Sequence, residues 1–208
     1  MEKEMKRVCE LMAGGMKEIV DNRISEFAEL GRRGENELFK ELCFCILTAN
    51  YSAEGGIRIQ KALGNGFITL PENELAERLK ALGHRYPNAR AKYIVEARRH
   101  LGSLKRTVTD SRGGSEAREW LVKNVKGLGY KEASHFLRNI GFTNLAILDF
   151  HIIDMLERCG AVVRPKTLTK NKYFEIERVL KTWSAKIGVN LAELDLYMWY
   201  METGKVLK

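Results

Sequence analysis

The 208-residue chain has no apolar run long enough to span a bilayer. Its opening residues mix acidic and basic side chains and lack the pattern of a secretory leader, so an intracellular, cytoplasmic location is expected. Cysteine is scarce. Cys9, Cys43, Cys45 and Cys159 show no metal-ligand spacing, and Cys43 and Cys45 lie in an apolar helical run where thiols serve as small hydrophobes. No repeat recurs, and no segment alternates long enough to form a convincing strand. Helical spacing dominates instead, so the expected class is all-α, with enough residues to bury one core or two small lobes. Acidic residues are outnumbered, with 27 Asp and Glu against 35 Lys and Arg and a net charge of +8. That balance suits a polyanionic partner, although charge alone does not identify one.

The most informative stretch is 115–158. Ala117, Trp120, Leu121 and Val125 share one helical face, as do Ala133, Phe136, Leu137 and Ile140 after the turn Gly127-Leu128-Gly129. Two helices joined by such a turn leave N–H groups exposed at the second helix start, where a phosphate can approach closely. Ser115 is the expected cap of the first helix. Lys131 falls in the first turn of the second, where the helix dipole and any desolvation lower the pKa of an amine. A neutral amine is what a nucleophile requires. Asp149 precedes a new apolar series (Ile152, Ile153, Leu156) and reads as an N-cap held ionised by that helix. Each residue alone also fits an ordinary role, as a surface lysine or a simple cap. His151 and Asp154 lie three residues apart on the same helix but have no further partners for a metal, so core or surface placement fits them better.

The combination Gly127, Gly129, Lys131 and Asp149 resembles the signature of the helix–hairpin–helix DNA glycosylase superfamily. There a hairpin is followed by a Gly/Pro-rich loop ending in an aspartate; here the loop, 142–148, carries no proline. The lysine places the resemblance in the glycosylase/lyase branch, and the short chain is most similar to the small 8-oxoguanine DNA glycosylases of archaea and some bacteria. The resemblance runs from about Phe39 to the C-terminus. It implies a helical barrel lobe over 45–143 containing the hairpin, and a second lobe from 1–44 together with 144–208, with the active-site cleft between them. It also implies a monomer acting on double-stranded DNA that contains oxidised guanine. Some relatives bind an iron–sulfur cluster through closely spaced cysteines near the C-terminus. No cysteine follows Cys159, so neither a cluster nor any other cofactor is expected.

Further site residues follow from the same resemblance. The segment ending in Asn50 matches a position where the family places a residue that enters the duplex, though Asn50 also suits the end of a helix. The loop His84-Arg85-Tyr86 corresponds to one that enters the minor groove. His84 and Arg85 are therefore expected at DNA and Tyr86 at the base pocket, while a basic loop is also compatible with plain solvation. Trp199 matches an aromatic that stacks on the extruded base, but its spacing also suits core. The terminal carboxylate of Lys208 matches an acceptor for that base. In such hairpins backbone carbonyls, here those of Val125 and Leu128, hold a monovalent cation against a DNA phosphate.

In chain order, helices are expected over 16–30 (closed by Gly31), through Phe39–Ala49, over 53–63, with Pro71 at the first position of the next, and from Ala91. A polar linker is expected at 105–114 and a basic irregular segment at 162–171. Two helices then carry Phe174 to Ile187 and Leu191 to Met201. The implied chemistry is attack of Lys131 on the sugar C1′, support by Asp149, and strand cleavage by β-elimination from a Schiff base. A glycosylase for oxidised pyrimidines would share both residues. A non-enzymatic DNA-binding hairpin would share the glycines and the charge.

Overall fold

Helix α3 (Glu35–Thr48) is the element around which half of the molecule is built. From Leu38 to Thr48 every residue except Lys40 is buried, including Cys43 and Cys45, whose thiols burial pushes well above their ordinary pKa. A helix with so little polar face is stable only when surrounded. Helices α4 (Ala53–Leu63), α5 (Gly66–Thr69), α7 (Pro87–Ala97), α8 (Leu104–Thr109) and α10 (Tyr130–Asn139) pack around it. Helix α6 (Glu72–Ala81) lies on α7, and α9 (Gly114–Asn124) on α10. A second core joins the N-terminal helices α1 (Glu2–Met12) and α2 (Met16–Arg32) to α11 (Phe150–Arg158), α12 (Lys170–Ile187) and α13 (Leu191–Thr203). The computed structural model describes residues 2–208, and among these there is no strand.

The two cores meet within the loop after α10. Leu145 belongs to the first, and Ala146 to the second. At the N-terminal side the change falls between Phe27 and Leu38, so the buried apolar residues of α3 all belong to the first core.

Several local expectations differ from the structure for identifiable reasons. Gly31 does not close α2 but lies inside it: a Cβ there would stand 2.1 Å from the carbonyl oxygen of Ile140, so glycine permits the close crossing of α2 and α10. The expected linker at 105–114 contains α8, because Leu104 and Val108 are buried on its inner face. Gly113, with φ +116°, replaces Ser115 as the residue before α9. Pro71 precedes α6 as its N-cap, one position earlier than expected. Helices α1 and α5 carried no expectation.

A buried ion pair with two hydrogen bonds joins the halves. Arg118 on α9 gives Glu177 on α12 two hydrogen bonds, Nη1 to Oε2 at 2.6 Å and Nη2 to Oε1 at 3.1 Å. Their side chains are 1% and 3% exposed. Arg118 also donates to Ser134 Oγ on α10 at 3.1 Å, and its guanidinium lies 4.9 Å from the ring centre of Phe174. Burial pulls the Glu177 carboxyl upward, but the hydrogen bonds and charge of Arg118 outweigh this and leave it below the usual carboxylate range. Removing one partner strands a buried charge. Glu177→Ala should therefore cost about 3–5 kcal/mol of stability, read from the urea unfolding midpoint. A shift no larger than that of an exposed pair would show that Arg118 finds compensation elsewhere.

Candidate active site

A cleft of about 820 Å³ opens between the starts of α10 and α11, the end of α3, and α13 with the C-terminal tail. The hairpin supplies one wall. Gly127 has φ +89°, and a Cβ on it would stand 2.5 Å from the Tyr93 ring, so both backbone shape and space require glycine. Gly129 is the N-cap of α10; without a side chain it leaves the helix start open, and its own N–H donates to Glu132 Oε2 at 3.2 Å. Lys131 lines the cleft from the first turn, its side chain 22% exposed and its Nζ 3.9 Å from Glu132 Oε1.

Asp149 lines the same cleft as the N-cap of α11, accepting the Ile152 N–H at 2.9 Å. The cap expected from sequence is present, and its hydrogen bond acts to lower the carboxyl pKa as expected, but burial acts against it. Burial raises the Asp149 pKa above 3.8 and outweighs the Ile152 hydrogen bond and the positive charge of Lys131, which act in the opposite direction. The proline-free loop before it is held by side chains from elsewhere. Glu177 Oε2 accepts the Ala146 N–H at 3.1 Å, Tyr173 donates its hydroxyl to the Ala146 carbonyl at 2.7 Å, and Leu148 N–H reaches the Tyr173 hydroxyl at 3.4 Å.

The remaining expected residues divide. Asn50 follows the end of α3 in a left-handed conformation, φ +58°, with an exposed side chain at the cleft rim. Arg85 lines the cleft and is exposed. His84 does not reach solvent: it is 4% exposed, with Nε2 3.0 Å from the Leu47 carbonyl and Nδ1 accepting the Tyr86 N–H at 3.0 Å. It shapes the loop from inside and has no free edge for DNA. Tyr86 caps α7 outside the cleft lining, its ring within 5.2 Å of the Arg85 guanidinium and 5.7 Å of that of Arg90. It is therefore not part of the pocket as formed. Trp199 and Lys208 do line the cleft; Trp199 packs edge-on to His151 at 5.1 Å, and its buried Nε1 has no partner.

Three lining groups went unforeseen. Arg138 and His135 share the inward face of α10 with Lys131, and Arg138 Nη1 donates to Asp195 Oδ2 at 2.9 Å. Burial pushes the Asp195 carboxyl up to about 6; Arg138 opposes this and the nearby Asp149 adds to it. His135 is buried, and burial first, then Arg138 and Lys131, push its pKa well below 6.5 against the opposing effect of the Lys208 main chain. The helical offsets from Lys131 to His135 and Arg138, and from Trp199 back to Asp195, were available as a signal. Among the described residues, no group of three or more His, Cys, Asp or Glu side chains could hold a metal ion. The Val125 carbonyl accepts the Leu128 N–H at a long 3.3 Å within the hairpin turn, which leaves it acceptor capacity.

A carboxyl whose folded-state pKa is raised reduces stability above its ordinary pKa, and that cost disappears as pH falls below it. Asp149→Asn keeps a good capping side chain and removes the buried charge. The variant should therefore be at least as stable as the parent at pH 7, with any gain vanishing below pH 3.8. Urea midpoints at neutral pH and at pH ~3.5, under that threshold, test this; a variant less stable at pH 7 would mean that the charged cap is net stabilising.

Comparison with known proteins gives a consistent result. The family model described as 8-oxoguanine DNA glycosylase matches residues 20–189. The 8-oxoguanine DNA glycosylase/AP lyase of Korarchaeum cryptofilum is 54% identical over 202 residues, covering 97% of this chain and 96% of its own. The Thermotoga maritima protein of the same name is 48% identical, over 99% and 98% of the two chains. The crystal structure of the Methanocaldococcus jannaschii 8-oxoguanine glycosylase/lyase with a 15mer DNA containing 8-oxoguanine superposes with a TM-score of 0.96 at 52% identity, over 98% and 99%. With a match along nearly its whole length and a cleft flanked by Lys131 and Asp149, this chain belongs to the 8-oxoguanine DNA glycosylase family.

Proposed function

We propose that this protein removes 8-oxoguanine from duplex DNA and then cleaves the strand at the resulting abasic site, acting as a monomer in the cytoplasm. The observation that carries the reading is the opening of the Lys131 amine and the Asp149 carboxylate onto one cleft in a chain of this family. A base inside a duplex hides its sugar C1′, so the nucleotide must first be extruded. The Lys131 amine, having given up its proton, then bonds to C1′ as the bond from C1′ to the base nitrogen breaks and its electrons leave with the base, which takes up a proton. Asp149, ionised at this step, stabilises the positive charge that develops on the sugar. Loss of the amine proton and ring opening give a Schiff base. This makes the C2′ proton acidic, and its removal expels the 3′ phosphate by β-elimination.

The supporting parts follow from their positions. Gly127 and Gly129 let a phosphate approach the start of α10, and the Val125 and Leu128 carbonyls would hold a monovalent cation that supplies positive charge against that phosphate. Arg85 and Asn50 at the rim contact the duplex where the base has left. Trp199 stacks on the extruded base. The carboxylate of Lys208 accepts the hydrogen bond from N7 that 8-oxoguanine offers and guanine lacks. No organic cofactor or iron–sulfur cluster is needed for these steps.

Lys131→Gln should abolish borohydride trapping and base excision on a duplex with a single 8-oxoguanine while duplex affinity stays close to the parent. A trapped adduct from this variant would assign the nucleophile to another amine. Parallel duplexes carrying an oxidised pyrimidine distinguish the related specificity, since stronger trapping there would overturn the choice of base. Asp149→Asn should lower single-turnover excision by ~100-fold or more, the scale expected for one preorganised electrostatic group. Unchanged single-turnover rates would leave Asp149 as a cap only.

A further inference from the structure

The last residue of the chain crosses from α13 to the opposite core. The Lys208 amine donates to Glu41 Oε2 at 2.7 Å and to Gln60 Oε1, and lies 4.3 Å from the ring centre of Phe44. Glu41 is on α3 and its side chain is 2% exposed, while that of Lys208 is 20% exposed. The other Glu41 oxygen, Oε1, accepts the Asn139 side-chain N–H at 2.6 Å, and Gln60 Nε2 donates to Oε2 at 2.9 Å. Asn139 is on α10, two turns beyond Lys131. A single buried carboxylate thus ties the tail to the helix that carries the nucleophile.

Burying a carboxylate is a poor way to gain stability, because desolvation offsets much of what its partners return. What the arrangement does supply is a fixed location. A C-terminal lysine carries its amine and the chain's terminal carboxylate on one residue, so seating the amine confines the carboxylate to the short reach of that side chain. Lys208 lines the cleft, and its main chain lies against the ring of His135, whose pKa burial lowers well below 6.5. We infer that Glu41 is a positioning residue for base recognition: through Lys208, with Gln60 and Asn139 holding it in place, it sets where the terminal carboxylate meets the extruded base. The inference rests on the reading that the tail recognises 8-oxoguanine.

The test compares single-turnover excision of 8-oxoguanine with cleavage at a preformed abasic site, which needs Lys131 but no base pocket. Four proteins are compared with the parent: Glu41→Gln, Lys208→Met (which keeps the terminal carboxylate), the two combined, and a chain lacking Lys208. Each single substitution should lower excision by roughly 10–100-fold, the range for one lost or misplaced hydrogen bond in a dry site, with little change in abasic-site cleavage. The double variant should be no worse than either single one, because both remove the same contact. Unchanged excision in Glu41→Gln, equal loss of both activities, or multiplying effects in the double variant would each overturn the assignment. Two outcomes separate this inference from the reading beneath it. If loss of Lys208 lowers excision selectively but Glu41→Gln and Lys208→Met do not, the tail is used without the seat. If loss of Lys208 has no selective effect, the tail reading fails and the seat with it. Thermal midpoints of all variants, with Lys208→Met changing only the chain end, guard against a folding defect standing in for either result.

Discussion

The bidentate pairing of Arg118 with Glu177 sits where the two cores, the hairpin and the loop to Asp149 converge. Arg118 belongs to the first helix of the hairpin and reaches Ser134 on the second; Glu177 belongs to the other core and reaches the Ala146 N–H. Lys131 precedes Ser134 by one turn, and Asp149 follows Ala146 by three residues. Their meeting across the cleft is therefore decided by an interaction that touches neither of them. Tyr173 completes the arrangement by bonding Ser134 Oγ at 3.3 Å and the Ala146 carbonyl at 2.7 Å. A proline would stiffen the loop through its own φ angle. Here fixed partners from α12 constrain it from outside.

That difference bears on what was legible in the sequence. The hairpin, Lys131 and the Asp149 cap were readable because each depends on neighbours a few residues away: helical spacing, a glycine turn, an aspartate before an apolar series. The helix over 53–63 and the last two helices were readable for the same reason. Residues set by distant partners were not. His84 looked like part of a basic loop, and only the Leu47 carbonyl, on a helix 37 residues earlier, makes it an interior residue. Gly31 looked like a stop because its real reason, the carbonyl of Ile140, lies far along the chain at the C-cap of α10. The stretch at 105–114 looked like a linker because its composition is polar, while Leu104 and Val108 suffice to dock a short helix on the first core.

The electrostatics of the cleft show the same division between local and distant causes. A helix start favours an ionised aspartate, and the bond to Ile152 N–H has the geometry that rule requires. Burial by the surrounding chain nevertheless wins, and the carboxyl is raised. Asp195 is raised as well, despite its bond to Arg138, with the Asp149 carboxylate among the causes. Two carboxyl groups in one cleft are tolerated because the charges of Lys131 and Arg138, on the facing helix, offset part of the burial cost. Extrusion of a base into this space would dry it further and strengthen every charge interaction within it. Under the proposed mechanism, a cationic sugar forming there would meet the Asp149 carboxylate in place.

The contacts that close the cleft differ greatly in strength, and the difference follows from exposure. Outside its lining, Arg118 and Glu177 are almost fully buried, where removal of one partner is costly. At its mouth, Lys205 of the tail pairs with Glu54 at 2.7 Å, but both side chains are more than half exposed, and such pairs contribute about 0–1 kcal/mol. Between these extremes lies Lys208, part-buried against Glu41. A duplex approaching the mouth therefore displaces only weak contacts, while the relation between the hairpin and the Asp149 loop stays under the control of a pair that the duplex does not reach. The same chain can in this way yield at its surface to a bulky polyanion and still present its amine and carboxylate in a constant arrangement.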